Sequence, residues 1–266
     1  MTLSDTVFSG SIPALYERYL VPLLFAPYAE DMAARVAATG ARRILETAAG
    51  TGVVTAAMLE AVPDSEIVAT DLNPAMLEMA ARRIRSPRVV FKAADAQALP
   101  FEDGGFDAVV CQFGVMFFPD RVGAYREARR LLRPGGRFLF SAWNRIEANP
   151  LKLALTEALA AHFPDDPPQF FRRVPNSYHD LERIEADLHE AGFEEIEIET
   201  VEKRSRLGSA REAAIGLCHG TPLRADIEAR GDLDAATEAA AAALARFEGP
   251  DGVDAPMSAH AVSATG

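Results

Sequence analysis

The residues able to do chemistry in this 266-residue chain gather where its apolar runs end. The run Ile44-Leu45-Glu46 closes on an acid and passes into Thr47-Ala48-Ala49-Gly50-Thr51-Gly52, a turn of small residues. Side chains this short let a backbone approach a ligand closely, and Gly50 and Gly52 open angles closed to other residues. Asp71 ends a second run, EIVATD, where a carboxylate can accept from both hydroxyls of a ribose. Asp95, followed by Ala96, ends a third run, VVFKAAD, and can accept from an adenine amino group. Gln112-Phe113 closes a fourth, FDAVVCQF. Each residue also has a plainer use. Asp71 ahead of Asn73-Pro74 suits a helix start, Asp95 suits a turn, and Gln112 can satisfy backbone groups. The small-residue loop alone fits a dinucleotide site equally well. Four polar tips in order, one per run, favour one shared, elongated ligand.

Positioning these tips requires strands alternating with helices. RRILETA reads as a buried strand and VVTAAMLEAV as the helix after its turn; EIVATD is followed by the helix AMLEMAARRI, with Asn73 as N-cap and Pro74 at the first helical position. VVFKAAD and FDAVVCQF are further strands, a helix runs near Val122 to Leu132, and RPGGRFLFSAW turns through Gly135 and Gly136 into a fifth strand. That alternation implies right-handed βαβ units and a parallel sheet, and continuous apolar runs imply cover on both faces. Residues 1 to about 40 look helical; 145 to 190 hold two helices interrupted by FPDDPPQFFRRVPNSY. FEEIEIETVEKR alternates over Phe193 to Val201 as a half-exposed strand, DAATEAAAAALARF reads as a helix, and SAHAVSATG as a last strand.

Composition narrows the function classes. A formal net charge of −12 disfavours a nucleic-acid substrate, because an acidic surface repels phosphates. The basic stretch Arg126 to Arg137 reads as a helix ending on cations. Two cysteines, Cys111 and Cys218, without CxxC or clustered histidines, argue against a disulfide scaffold and a zinc site. No apolar run approaches ~18 residues, and the first residues lack a signal-peptide pattern, so no membrane span and a cytoplasmic location are expected.

The segments LETAAGTG, ATDLNPAMLEMA, ADAQALPFEDGGFDAVVCQFGVMFFPD and LLRPGGRFLFSAW resemble the class I methyltransferases that use S-adenosylmethionine (SAM), in particular the menaquinone and ubiquinone biosynthesis group. The resemblance is tight over residues 42 to 143. It implies a Rossmann-like, doubly wound, mostly parallel seven-stranded sheet with helices on both faces. N-terminal lid helices (1–40), a SAM-binding core (41–145), a substrate-covering helical insertion (146–190) and a C-terminal part completing the same domain (191–266) are implied with it. The cofactor would be SAM, released as S-adenosylhomocysteine (SAH). Glu46, Gly50 and Gly52 would line its methionine end, Asp71 and Leu72 the ribose and adenine face, and Asp95 and Ala96 the adenine. Gln112 would sit near the sulfonium, and Tyr16 or Tyr19 would close over the cofactor. Ala48 stands where the family pattern has glycine, which alters how closely the backbone meets the amino-acid part.

Methyl transfer needs an electron-rich acceptor aligned with the S–CH3 bond, and orientation and exclusion of water supply much of the catalysis. The sequence identifies no general base: His162, His179, His189 and His219 read as surface or core histidines. Trp143, Asn144 and Arg145 follow the fifth strand toward the acceptor, and Phe117, Phe118, Phe163, Phe170 and Phe171 offer apolar walls suited to a small phenol- or quinol-like molecule. Two other readings stand beside this one: a non-catalytic SAM-binding module and a nicotinamide-dependent oxidoreductase. The expected assembly is a monomer or homodimer.

Overall fold

A computed structural model describes Phe8 and residues 10–266; the start of the expected N-terminal lid lies outside the described residues. The N-terminal helices comprise α1 (Ile12–Leu15), a π-helical stretch (Tyr16–Phe25) and α2 (Ala26–Thr39). There follow β1 (Arg43–Glu46), α3 (Val53–Ala61), β2 (Glu66–Asp71), α4 (Pro74–Arg83), β3 (Val89–Ala93), β4 (Phe106–Gln112), α5 (Arg121–Leu131) and β5 (Leu132–Trp143). The insertion supplies α6 (Pro150–His162), α7 (Phe170–Arg173) and α8 (Leu181–Glu190). The chain ends with β6 (Ile196–Leu207), α9 (Ala210–His219), α10 (Leu223–Glu228), α11 (Leu233–Leu244), β7 (Glu248–Gly249) and β8 (Gly252–Thr265).

The strands form one sheet in the order β3-β2-β1-β4-β5-β8-β6, with β7 paired to β8. The pairs from β3 across to β5 are parallel, while β8 runs antiparallel between β5 and β6. Seven strands were expected and the sheet has eight; the extra one is β7, two residues long, too short to leave a periodic signal. Strand order reverses between β1 and β4, so the crevice outside the carboxyl ends opens there.

Successive residues of the central strands point to opposite faces, and both faces are covered. Ala108 and Val110 pack with Ile44, Ile67 and Leu139 under α2 and α3, through Ala29, Met32, Val36, Val54 and Met58. Val109 and Cys111 point the other way and pack with Phe138, Phe140, Tyr125 of α5 and Leu188 of α8. The same apolar cluster reaches Leu24 of the N-terminal helices, Leu155 of α6 and Leu217 of α9.

Two local expectations change. The alternation over Phe193 to Val201 becomes a strand that starts at Ile196 and runs on to Leu207, because the long β8 pairs with it along its whole length. Asn73 occupies the N-cap of α4 without capping it by its side chain; its Nδ2 donates to Asp71 Oδ1 at 3.4 Å, and its Oδ1 accepts from Phe8 N at 3.4 Å. No helix among the described residues is long and apolar enough to cross a membrane. The arginines of the basic stretch face carboxylates: Arg126 pairs with Glu190, Arg130 with Glu127 and Asp103, and Arg133 with Asp107.

Candidate active site

The floor of the site is the turn after β1, held by the strands on either side. Thr47 N donates to Val110 O of β4 at 2.8 Å, and Ala49 N to Thr70 O of β2 at 2.9 Å. Gly50 N donates to Asp71 Oδ2 at 2.8 Å, and Asn73 N to Asp71 Oδ1 at 2.7 Å. One carboxylate therefore fixes both the loop and the start of α4. Gly50 has φ +57°, an angle at which any side chain is strained, and it faces the cavity.

Ala48 also has a positive φ, 52°, without being glycine. Its methyl fits because position 114 is glycine: a Cβ on Gly114 would lie 2.5 Å from that of Ala48. Gly52 serves packing rather than ligand approach. A Cβ there would meet Ile84 Cδ1 at 2.8 Å and Ala80 Cβ at 3.0 Å, so the glycine lets the start of α3 sit against the end of α4.

A cavity of about 660 Å³ opens above this floor. Of the cofactor-site residues read from the sequence, Ala48, Gly50, Asp71, Leu72, Asp95, Ala96 and Gln112 line it; Glu46, Gly52 and Tyr19 do not. Of the two tyrosines offered for closing over the cofactor, Tyr16 faces the cavity, together with Leu20 and Leu24. Tyr19 instead packs on α9, where its Cβ lies 2.8 Å from the position a Cβ on Gly216 would occupy. Asp95 forms its turn, accepting from Gln97 N at 2.9 Å, and borders the cavity as well. Gln112 Nε2 donates to Phe25 O at 3.2 Å, leaving a buried Oε1 that accepts from no group. Leu72, 58% exposed, offers a bare apolar surface at the rim.

The floor gathers buried acids with no cation among the described residues beside them, and burial drives each toward its neutral form. Burial pushes the Glu46 carboxyl up to about 8 against the Thr55 hydroxyl that donates to it at 2.5 Å, and the neighbouring Asp71 adds to the rise. Burial raises Asp71 too, opposed by the amides of Asn73 and Gly50. Cys111 is pushed up to about 12, first by burial and further by the charges of Glu46 and Asp71. Tyr16 rises through burial and then through Asp71. No cation among the described residues contributes to any of these shifts.

The roof is aromatic. Tyr16 stacks on Phe25 at 4.8 Å between centroids, and Phe8 meets Tyr16 and Phe117 edge-on at 6.2 and 6.1 Å. Phe113 and Trp143, at the carboxyl ends of β4 and β5, stack at 3.8 Å and 4°. Phe117, Phe118, Phe170 and Phe171 line the cavity as the sequence reading expected, whereas Phe163 lies beyond it beside His162 and Gly231. Of the trio after β5 only Trp143 lines the cavity. Asn144 Nδ2 donates to Ser258 Oγ at 3.1 Å, and Arg145 is exposed. The histidines stay outside as well: His179 Nδ1 pairs with Asn176 O, His189 Nδ1 with Phe193 O, His219 Nε2 with Thr237 Oγ1, and His162 is exposed.

Sequence reasoning missed Lys152 of α6. It lines the cavity while 2% exposed, and its Nζ has no hydrogen-bond partner and sits 3.4 Å from the Trp143 ring centroid. Burial alone drives its amine well below the ordinary lysine range. The available signal was a single cation within the apolar face Leu151, Leu155 and Leu159 of PLKLALTEALAAH.

A parallel sheet with an antiparallel β8, and a ligand cleft at the β1/β4 reversal, define a Rossmann-like class I methyltransferase fold, and the comparisons agree. Residues 44–136 match the methyltransferase domain family. The demethylmenaquinone methyltransferase of Thermus thermophilus is 45% identical over 100 residues, covering 37% of this chain and 46% of that protein. The ubiquinone/menaquinone biosynthesis C-methyltransferase of Cronobacter sakazakii is 31% identical over 170 residues, covering 58% of this chain and 67% of that one. The match to the Thermus relative thus spans about half of that protein's length. Among solved structures, Haemonchus contortus phosphoethanolamine N-methyltransferase 2 in complex with S-adenosyl-L-methionine has a TM-score of 0.58 at 16% identity, covering 96% of this chain and 56% of that one, a likeness of fold. The chain belongs to the SAM-dependent methyltransferases, in the family of the ubiquinone/menaquinone biosynthesis C-methyltransferases, and its cofactor is SAM.

Proposed function

We propose that this protein transfers the methyl group of SAM to a small, apolar, aromatic acceptor, a ring of the phenol or quinol type. One observation carries the reading: a single cavity joins an acidic, polar-edged floor to an aromatic roof. The floor suits SAM. Glu46 and Asp71 are buried carboxyls without a cationic partner, and Gln112 Oε1 is a buried acceptor without a donor. A ligand bearing a sulfonium and an ammonium supplies the missing positive charge and donors, and SAM bears both. Asp71 then takes the ribose hydroxyls, Leu72 covers one adenine face, Asp95 and Ala96 meet the adenine edge, and Gly50 with Ala48 borders the amino-acid part. Glu46, one layer below and holding its proton, braces the floor through the Thr55 hydroxyl rather than touching the ligand. Tyr16 is the closing tyrosine, with the N-terminal helices as lid and α6 to α8 as acceptor cover. The roof offers an acceptor flat apolar walls and few donors, which favours an aromatic ring over a sugar or peptide. The names of the Thermus and Cronobacter relatives, which act on quinone precursors, point to the same class.

Calorimetric titration with SAH and NADH, followed by turnover assays on hydroquinones and phenols, tests the reading. Micromolar SAH binding, silence toward NADH and methylated aromatic product are expected. SAH binding without turnover of any aromatic acceptor would leave the SAM-binding module as the better description.

A further inference from the structure

Lys152 is the one cationic side chain among those lining the cavity, and nothing in the proposed reading uses it. Its surroundings are unusual for a lysine. On the side away from the cavity its neighbours around a small void are Leu24, Asn149, Leu151, Ser205, Pro256 and Met257. None of these ionises at ordinary pH, and no charge on any packed element contributes to its state. A structural lysine buried this deeply would pair with a carboxylate; among the described residues Lys152 pairs with none, and its Nζ makes no hydrogen bond to a neutral acceptor, the Ser205 hydroxyl beside the same void being unpartnered as well. The buried amine thus keeps a donor and acceptor capacity that a ligand in the cavity can meet.

Its position is defined by a stack. Lys152 Nζ lies over Trp143, Trp143 lies flat on Phe113, and Phe113 follows Gln112 at the carboxyl end of β4. The amine therefore stands at the junction of the polar floor and the aromatic roof. Burial favours the free amine, whose lone pair no group engages, and the indole face below it stabilises the ammonium once a proton arrives.

We infer that Lys152 accepts the proton of an acidic hydroxyl on the aromatic acceptor and then holds the resulting oxyanion as its ammonium counter-ion. This deepens, and rests on, the proposed aromatic-acceptor reading. The step balances: the acceptor's O–H bond breaks, its proton goes to Nζ, and the electron pair stays on oxygen, delocalised into the ring. The electron-rich oxygen or ring carbon attacks the methyl carbon of SAM; the new bond to methyl forms as the S–CH3 bond breaks, and its electron pair leaves on sulfur. Where carbon attacks, the proton on that carbon moves to the oxygen, which restores the aromatic ring and its hydroxyl. The ammonium returns its proton to water when products depart. The inference also fixes the acceptor class more narrowly, as a ring carrying an ionisable hydroxyl rather than a plain hydrocarbon or an ether.

The test is an absorption measurement rather than a turnover assay. 4-Nitrophenol, whose phenolate absorbs in the visible and whose phenol does not, is titrated into SAH-loaded wild type, Lys152→Met and Lys152→Gln at a pH about one unit below the dye's own pKa. Wild type is expected to bind the dye as phenolate, lowering its apparent pKa by at least one unit, about a tenfold shift toward the anion. Both variants are expected to bind it as the neutral phenol, with unchanged SAH affinity and a thermal midpoint equal to or above wild type, since a buried unpaired amine is removed. A phenolate band of equal strength in either variant, or none in wild type although the dye binds, overturns the role of Lys152 and leaves the aromatic reading intact. Failure of the dye to bind wild type at all overturns both.

Discussion

The two halves of the cavity are built by different means. The floor is backbone and carboxylate: Ala48 to Gly50 and the tips of β2 and β3, tied by amide hydrogen bonds to Asp71 and Asp95. The roof is side chain on side chain: Tyr16 on Phe25, Phe113 on Trp143, and Lys152 over the indole, drawn from the N-terminal helices, the ends of β4 and β5, and α6. A floor made of strand ends is rigid and specific for one ligand, whereas a roof of packed rings can be reshaped by substitution without disturbing the sheet. On the proposed function this is a division of labour, in which cofactor recognition rides on the sheet and acceptor choice on the cover.

That division can be attacked at its base first. Between its ordinary value of 4.5 and about 8, Glu46 keeps its proton in the folded chain and loses it in the unfolded one. The folded state then binds more protons, so stability falls as pH rises through that window, by on the order of 5 kcal/mol in full. Glu46→Gln is expected to flatten that slope, read from urea midpoints near pH 5 and pH 8; a wild type equally stable at both would mean that burial does not hold the proton on Glu46. Gly52→Ala comes next, with an expected loss of about 2–4 kcal/mol from a positive φ and a clash with α4. Retained stability with lost SAH binding would instead make Gly52 a ligand contact. Asp71→Asn removes the charge and keeps an acceptor for only one of the two amides, so SAH affinity should fall about 100-fold, or about 2.7 kcal/mol; a change under threefold would break the assignment of cofactor binding to the floor. The smallest effect is set for the roof. Phe117→Ala should raise the acceptor KM about tenfold while SAH affinity stays within twofold, and a matched loss of SAH affinity would show that the two halves are not separable.

The same division governs what could be read from sequence. Asp71, Asp95 and Gln112 were legible because each ends an apolar run, and a strand end in a parallel sheet has a known place relative to the crevice. Glu46 and Gly52 were found by the same pattern but lie just outside the cavity, since the pattern marks the loop and not the direction each residue takes in it. Which of Tyr16 and Tyr19 faces the cavity could not be read, because it is set by how the N-terminal helix docks: Tyr19 meets Gly216 of α9, and Tyr16 stacks on Phe25 at the cavity wall. Lys152 was invisible because its meaning depends on Trp143 and on the absence of a carboxylate partner, both facts of tertiary packing. The eighth strand was lost to its brevity.

The contact between Ala48 and Gly114 carries a message about descent. A methyl at 48 and any side chain at 114 would occupy the same space, so the two positions cannot drift independently. A lineage moving from glycine to alanine at 48 needed glycine at 114 already in place, and once alanine was fixed, the way back to a larger residue at 114 was closed. The loop beside the cavity therefore acts as a ratchet on the strand end opposite it, and Cys111, whose sulfur would lie 2.7 Å from a Cβ on Gly114, holds that position to glycine from the other side.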